Sequence, residues 1–262
     1  MTDATLATDP KQRFSNRVQD YVRYRPGYPH AILDLLRERC SLAPESVVAD
    51  IGSGTGLLTQ LFLENGSLVY GVEPNAAMRQ AGEEFLKQYP RFRSVAGSAE
   101  ATTLPDASVG YVLVGQAFHW FDPVAARTEF DRVLKPRGWV VVIWNQRRDD
   151  SPFLREYETF LRAFGTDYEK VQAKYPEDRT MSGFIGHNGA KKSFPNEQVF
   201  DLAGLRGRLL SSSYSPPKGH PQHEPMLAAL EKLFQTHAQD GRVRFEYLTH
   251  VYYGPREARH GE

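Results

Sequence analysis

Gly52, Gly54 and Gly56 fall within five residues just after Asp50, and a second acid, Glu73, stands 23 residues beyond Asp50. Glycines at this spacing let a chain bend sharply and let a ligand approach the backbone with no Cβ in the way. A carboxylate about 20 residues past a first strand is where the hydroxyls of a nucleotide-type ribose are held. Together these residues could bind a nucleoside cofactor. The flanking pattern supplies elements to position them. Val47–Ile51 is a short, β-branched apolar run that suits a strand buried on both faces. Leu57, Leu58, Leu61 and Phe62 recur at helical spacing. The turn therefore joins a strand to a helix whose first free N–H groups face the ligand. Leu68–Val72 reads as the second strand and delivers Glu73 at its end.

A dinucleotide fingerprint, G-x-G-x-x-G, would put its third glycine at position 57, where Leu57 stands. That spacing weakens the reading as an NAD(P)-dependent oxidoreductase. The run Asp50-Ile51-Gly52-Ser53-Gly54-Thr55-Gly56 instead resembles motif I of the class I S-adenosylmethionine-dependent methyltransferases. The resemblance implies S-adenosyl-L-methionine as cofactor, S-adenosyl-L-homocysteine as product, and cofactor contacts from Asp50, Gly52, Ser53, Gly54 and Gly56. It also implies that Glu73, followed by Pro74, holds the ribose.

Lys and Arg together number 32, as do Asp and Glu, giving zero formal net charge over 262 residues. A dedicated nucleic-acid binder needs a basic field to neutralise phosphates, so the balance disfavours nucleic-acid partners, an RNA methyltransferase among them. The one cysteine, Cys40, excludes an intrachain disulfide and fits a reducing, cytoplasmic setting. No charged N-terminal stretch precedes an apolar run, and nothing approaches ~18 consecutive apolar residues. The expectation is a soluble, unexported chain with no membrane partner. The sequence has no C-x-x-C pair and no H-x-x-x-H spacing, which argues against a bound transition metal.

Residues 1–10 lack periodicity and read as a mobile tail, with 11–262 as a single domain whose residues 11–43 form an N-terminal helical lid. Phe14, Val18, Tyr21, Val22 and Arg25 share one helical face until Pro26 stops it, and Pro29 opens a second helix ending near Cys40. Tyr21, Tyr24, Arg25, Pro26, Tyr28 and Pro29 resemble the N-terminal stretch of the methyltransferase type 11 subgroup that includes trans-aconitate-methyltransferase-like proteins. By that resemblance the segment folds over the cofactor, with Arg25 near its carboxylate, Tyr21 near the sulfonium and Tyr24 toward the substrate. The alternative is a helix–turn–helix brace whose tyrosines pack on the domain.

Asn75 is a good N-cap for a helix with Met78, Ala81, Phe85 and Leu86 on its apolar stripe, and Phe92–Ala96 reads as the third strand. In the family, the residues after this strand meet the adenine, with an acid directly after the glycine. Here Ser98 follows Gly97, so the contact is open between the Ser98 hydroxyl, the Ala99 N–H and Glu100. Val109–Gly115 is the fourth strand and delivers Gln116, Ala117, Phe118, His119 and Trp120 at its C-terminal end, the edge where open parallel sheets bind ligands. Asp122 and Pro123 start the next helix, and Trp139–Trp144 is the fifth strand. The run Q-A-F-H-W-F-D…F-D-R-V-L-K-P-x-G-W also resembles the type 11 subgroup, with Gly110 in place of an acid and Arg137 in place of a glycine. It implies that Gln116, Ala117 and Phe118 border the cofactor and Trp120 the substrate.

After Gln146 the pattern loosens. Asp149–Phe164 has helical spacing, whereas Thr166–Pro195 has no clean period, and residues 146–196 read as a substrate-cap insertion. Its cations, Lys174, Arg179, Lys191 and Lys192, would suit an anionic substrate. Val199–Leu210 reads as a helix, Ser211–Tyr214 as the sixth strand, Pro225–His237 as a helix and Arg242–Tyr253 as the last strand. The expected fold is α/β: a doubly wound, Rossmann-like, mostly parallel sheet of seven strands with N-terminal helices and a cap after the fifth strand. A sulfonium methyl is already activated, so transfer by in-line displacement needs alignment above all. A carboxylate acceptor on a small molecule needs nothing more, whereas a hydroxyl or amine needs a base. His119 is the nominee for that base, or else a structural hydrogen bonder, and Phe118 and Trp120 would wall off the transfer zone. The rival functions are an NAD(P)-dependent oxidoreductase and a non-catalytic S-adenosylmethionine-binding protein.

Overall fold

The computed structural model describes residues 24–173 and 175–256. The 1–10 tail, Tyr21, most of the first expected helix and Lys174 lie outside the described residues. Helix α1 (Ala31–Cys40) precedes β1 (Val47–Ile51), α2 (Leu57–Glu64), β2 (Leu68–Val72), α3 (Ala76–Leu86), β3 (Phe92–Val95) and β4 (Val109–Gly115). The chain continues through α4 (Pro123–Val133), β5 (Leu134–Arg147), α5 (Pro152–Phe164), α6 (Tyr168–Gln172) and α7 (Asp178–Ile185). It ends with β6 (Ala190–Phe200), α8 (Leu202–Leu210), α9 (His223–His237) and β7 (Val243–Pro255). The seven strands lie in the order β3-β2-β1-β4-β5-β7-β6. β1 to β5 pair in parallel, and β7 runs antiparallel to both its neighbours.

Strand periodicity divides the core. On β4 and β5, Val112, Val114, Val140 and Val142 enter one cluster with Phe130 of α4, while Leu113, Val141 and Ile143 enter the opposite cluster with Leu36, Leu61 and Phe62 of α1 and α2. Both faces are covered, so these central strands are apolar at nearly every position. The helix starts follow local chemistry: Asn75, Asp122, Ser151 and Asp201 each accept a backbone N–H from the first turn of their helix.

The last third departs from expectation in three ways. The sixth strand is Ala190–Phe200, whose first residues had been assigned to the cap, and Ser211–Tyr214 forms turns. β6 is an edge strand with mostly exposed or half-buried residues and Pro195 within it. Edge strands are commonly guarded by charges and proline, which erases the apolar alternation used to find strands. Thr166–Pro195 also contains two short helices, α6 and α7, as well as the start of β6. Finally, β7 pairs with β5 from Pro255 back to Tyr247, with one further bond from Arg148 N to the Glu246 carbonyl, so Val243–Phe245 pair with β6 alone. The antiparallel β6–β7 pair, joined through α8 and α9, thus runs past the C-terminal end of β5. A third core forms there, with Phe245 and Tyr247 packed among Tyr157 and Leu161 of α5, Leu205 and Leu209 of α8, and Leu230 of α9.

Candidate active site

The glycine turn is held by the end of β2: the Val72 carbonyl accepts from Gly52 N (2.9 Å) and Ser53 N (3.1 Å). Gly52, Gly54 and Gly56 have φ of 69°, 57° and 90°, the left-handed region that glycine enters without penalty. Space is as tight as conformation: a Cβ on Gly52 would lie 2.6 Å from the Ala117 Cβ. Glu73, 8% exposed, accepts at Oε2 from Gly54 N (2.9 Å) and at Oε1 from Asn75 N (2.8 Å). Burial raises its pKa, and the two backbone donors work against that rise. Asp50 is deeper, and its Oδ2 accepts from the Thr59 hydroxyl at 2.6 Å. Burial pushes its pKa up to about 7, opposed by the Thr59 bond and reinforced by the negative charge of Glu73.

A cavity of about 820 Å³ opens along the C-terminal edge of the sheet. Gly52, Gly54, Glu73 and Pro74 line it, as do Ser98, Ala99 and Glu100 after β3. Gln116, Ala117, His119 and Trp120 after β4 line it too, and Arg25 closes on it from the N-terminal segment. Five expected contacts do not border it. Asp50 bonds the Thr59 hydroxyl, Ser53 N bonds the Val72 carbonyl, and Gly56 packs so closely on Leu86 that a Cβ there would lie 2.5 Å from its Cδ1. Phe118 turns into the core, its ring 4.8 Å from that of Phe184. Tyr24 lies against Gly207, where a Cβ would come within 2.1 Å of its ring. Gly207 therefore makes room for the packed Tyr24 ring. Arg25 serves the same clasp: its Nη2 donates to the Ser211 carbonyl at 3.0 Å. Asn145 and Asn196 both donate to the Gly27 carbonyl, at 3.1 and 2.9 Å.

Gln116 has φ 56°, a costly conformation for a residue with a Cβ. Its Nε2 donates to the Asn145 carbonyl at 3.1 Å, while its Oε1 is buried with no partner among the described residues. Glu100 Oε1 accepts from Asp122 N at 3.0 Å, bracing the β4 loop. The His119 ring sits among aromatic rings, with centroids 4.4 Å from Trp120, 5.5 Å from Trp144 and 5.8 Å from Tyr175.

The cavity continues under the cap helices to residues that sequence reasoning missed: Trp144, Asn145, Arg147, Arg208 and Tyr214. Arg147 pairs with Glu158 and donates to the Tyr168 hydroxyl. Arg208, 7% exposed, stands on the buried side of α8 beside Leu205 and Leu209. Its one local signal was an arginine on an otherwise apolar helix face.

Among the expected cations, Lys191 lines the cavity and pairs with Asp178. The described residues include no helix long and apolar enough to cross a membrane.

A family model described as "Methyltransferase domain" matches residues 49–142. An uncharacterized methyltransferase of Mycobacterium bovis is 38% identical over 205 residues, covering 78% of this chain and 80% of that protein. One from Schizosaccharomyces pombe is 30% identical over 250 residues, covering 91% of this chain and 95% of that protein. A solved structure from Anaeromyxobacter dehalogenans, presented as a type II methyltransferase, shares the fold at TM-score 0.64 and 22% identity, covering 90% of this chain and all of that one.

Proposed function

The chain belongs to the class I S-adenosylmethionine-dependent methyltransferases, and from that membership we propose that it methylates a small organic acid on a carboxylate oxygen. S-adenosyl-L-methionine is its cofactor, and when bound it supplies a methyl group already activated on a sulfonium. The observation that carries the proposal is that one cavity is bordered by Glu73 and the glycine turn, by His119 and Trp120, and by the arginines under the cap.

In this reading Glu73 holds the ribose hydroxyls with the lone pairs left after its two backbone bonds. The backbone of Gly52 and Gly54 borders the cofactor's tail with no side chain in the way. Ser98 and Ala99 border the adenine, since Glu100 is turned to Asp122. Arg25, Gln116 and Ala117 complete the cofactor's surroundings, and the buried Gln116 Oε1 is an acceptor for a polar hydrogen there. Residues 24–43 act as a lid, clasped to the cap through Arg25 and Gly27. Trp120 and Trp144 exclude water around the acceptor, and His119 aligns it. No base is needed for a carboxylate, so the chain's main contribution is orientation, which can account for several kcal/mol.

Calorimetric titration with S-adenosyl-L-homocysteine, with NADH in parallel, tests the pocket. Micromolar binding of the first alone is expected, and the reverse pattern would return the chain to hydride transfer. Transfer of a labelled methyl group to a panel of small carboxylic acids then tests the acceptor; labelling of amines or alcohols but no acid would refute the carboxylate. The oxidoreductase and the non-catalytic reading are not favoured, since the relatives are named methyltransferases.

A further inference from the structure

Arg208 is a buried guanidinium that makes no ion pair with a carboxylate among the described residues. Its Nε donates to the Tyr247 hydroxyl at 3.4 Å and its Nη1 to Ser212 Oγ at 3.2 Å, while Nη2 has no hydrogen bond among the described residues. Both partners are neutral. Of the acids that line the cavity, Glu158 is paired with Arg147 and Arg162 and Asp178 with Lys191. Tyr214, also lining the cavity, makes no hydrogen bond through its hydroxyl among the described residues. Arginine stays protonated in proteins, so burial cannot be relieved by losing the charge. An isolated buried charge is costly, and buried charges are as a rule paired. Arg208 thus presents the cavity with a positive charge that no acid among the described residues pairs with, and with a donor, Nη2, that has no acceptor among them.

We propose that Arg208, with the Tyr214 hydroxyl, anchors an oxyanion of the methyl acceptor, a carboxylate or a phosphate group, at the cap end of the cavity. The proposal rests on the methyltransferase reading of the same cavity. It goes further by assigning the specificity-determining contact to a residue of α8, outside the matched methyltransferase region. The anchored group is a handle and not the atom methylated, because charge-assisted hydrogen bonds to a guanidinium draw charge from its oxygens and make them poorer nucleophiles. The acceptor therefore carries an oxyanion in addition to its nucleophile, and the planar fork of Arg208 explains why an arginine suits the position.

The test is titration of the protein, saturated with S-adenosyl-L-homocysteine, with succinate, phenylacetate, phenyl phosphate and the neutral phenylacetamide. At least one anion is expected to bind at least tenfold more tightly than the amide, and the phosphate arm separates the two oxyanion sources. Arg208→Met should weaken that binding ten- to hundredfold, with Arg208→Lys recovering part of it. S-adenosyl-L-homocysteine affinity should stay within twofold in both variants. In anion-free buffer, Arg208→Met should melt no lower than the wild type, because it removes an uncompensated buried charge; a purely structural arginine would instead lower the melting temperature. Anion affinity unchanged in Arg208→Met, equal binding of phenylacetamide, or no anion binding to the loaded wild type would each overturn the proposal. If S-adenosyl-L-homocysteine itself fails to bind the wild type, the methyltransferase pocket falls, and the proposal with it. The wild-type acid-against-amide comparison and Arg208→Lys keep the test decisive even if Arg208→Met does not fold.

Discussion

Glu73 Oε2 accepts a 2.9 Å hydrogen bond from the backbone N–H of Gly54, joining the acid at the end of β2 to the middle of the turn that follows β1. The acid is thereby both a candidate ligand for the ribose and a tie that shapes the loop beside it. Its removal touches both functions, and the predictions separate them.

Glu73→Ala should weaken S-adenosyl-L-homocysteine binding by roughly ten- to a hundredfold, since hydrogen bonds to a charged group are worth about 1.5–3 kcal/mol. Glu73→Gln keeps an acceptor for Gly54 N but loses the one for Asn75 N, so it should melt below wild type while still losing affinity. Calorimetry and thermal melting of the two variants check this. Unchanged affinity in Glu73→Ala would put the ribose elsewhere.

His119→Ala should lower kcat by roughly ten- to a hundredfold through lost alignment within the aromatic surround, an effect of orientation, with cofactor affinity unchanged. With a carboxylate acceptor no proton leaves the nucleophile. The pH profile of kcat should therefore have the same shape in variant and wild type. A basic limb abolished by the substitution would instead make His119 a proton acceptor.

Asp50 has a folded-state pKa of about 7, above the usual carboxylate range, with burial as the main cause. The folded chain thus holds this proton more tightly than the unfolded one. The stabilisation is fully present below the ordinary carboxylate pKa and is lost as pH rises through about 7. Asp50→Asn, which retains an acceptor for Thr59, should therefore gain stability relative to wild type on going from pH 5 to pH 8, by on the order of a few kcal/mol. Urea unfolding at the two pH values measures the difference, and a gap that does not widen with pH would contradict the assignment.

Gly207→Ala puts a Cβ where it would come within 2.1 Å of the Tyr24 ring. Overpacking of this kind costs about 1–3 kcal/mol, and it should loosen the segment that carries Arg25 to Ser211. In a Tyr24→Ala background the same substitution should cost little, a coupling that a double-mutant cycle reads directly. Additive effects would mean that the clasp does not depend on this contact.

The sequence by itself determined the parts whose cause is local. The glycine turn was legible because Gly52, Gly54 and Gly56 occupy backbone conformations that disfavour other residues, and Glu73 because it ends the very next strand. β1, β2 and β4 were legible as continuous apolar runs, and Asn75 and Asp122 as helix caps. Only the tertiary structure decided that Asp50 bonds Thr59 and Gly56 packs on Leu86, neither bordering the cavity, that Phe118 belongs to the core, and that Tyr24 packs on Gly207. It also decided that Ala190–Phe200 is the edge strand, because an edge exposed to solvent keeps no apolar alternation to read. Arg208 shows the limit most plainly. On the helix it is one arginine among leucines, and it becomes a buried cation facing a cavity only because the β6–β7 pair runs beyond β5 and gives α8 a core to pack on. That relationship joins residues more than a hundred positions from the glycine turn, where no local spacing can record it.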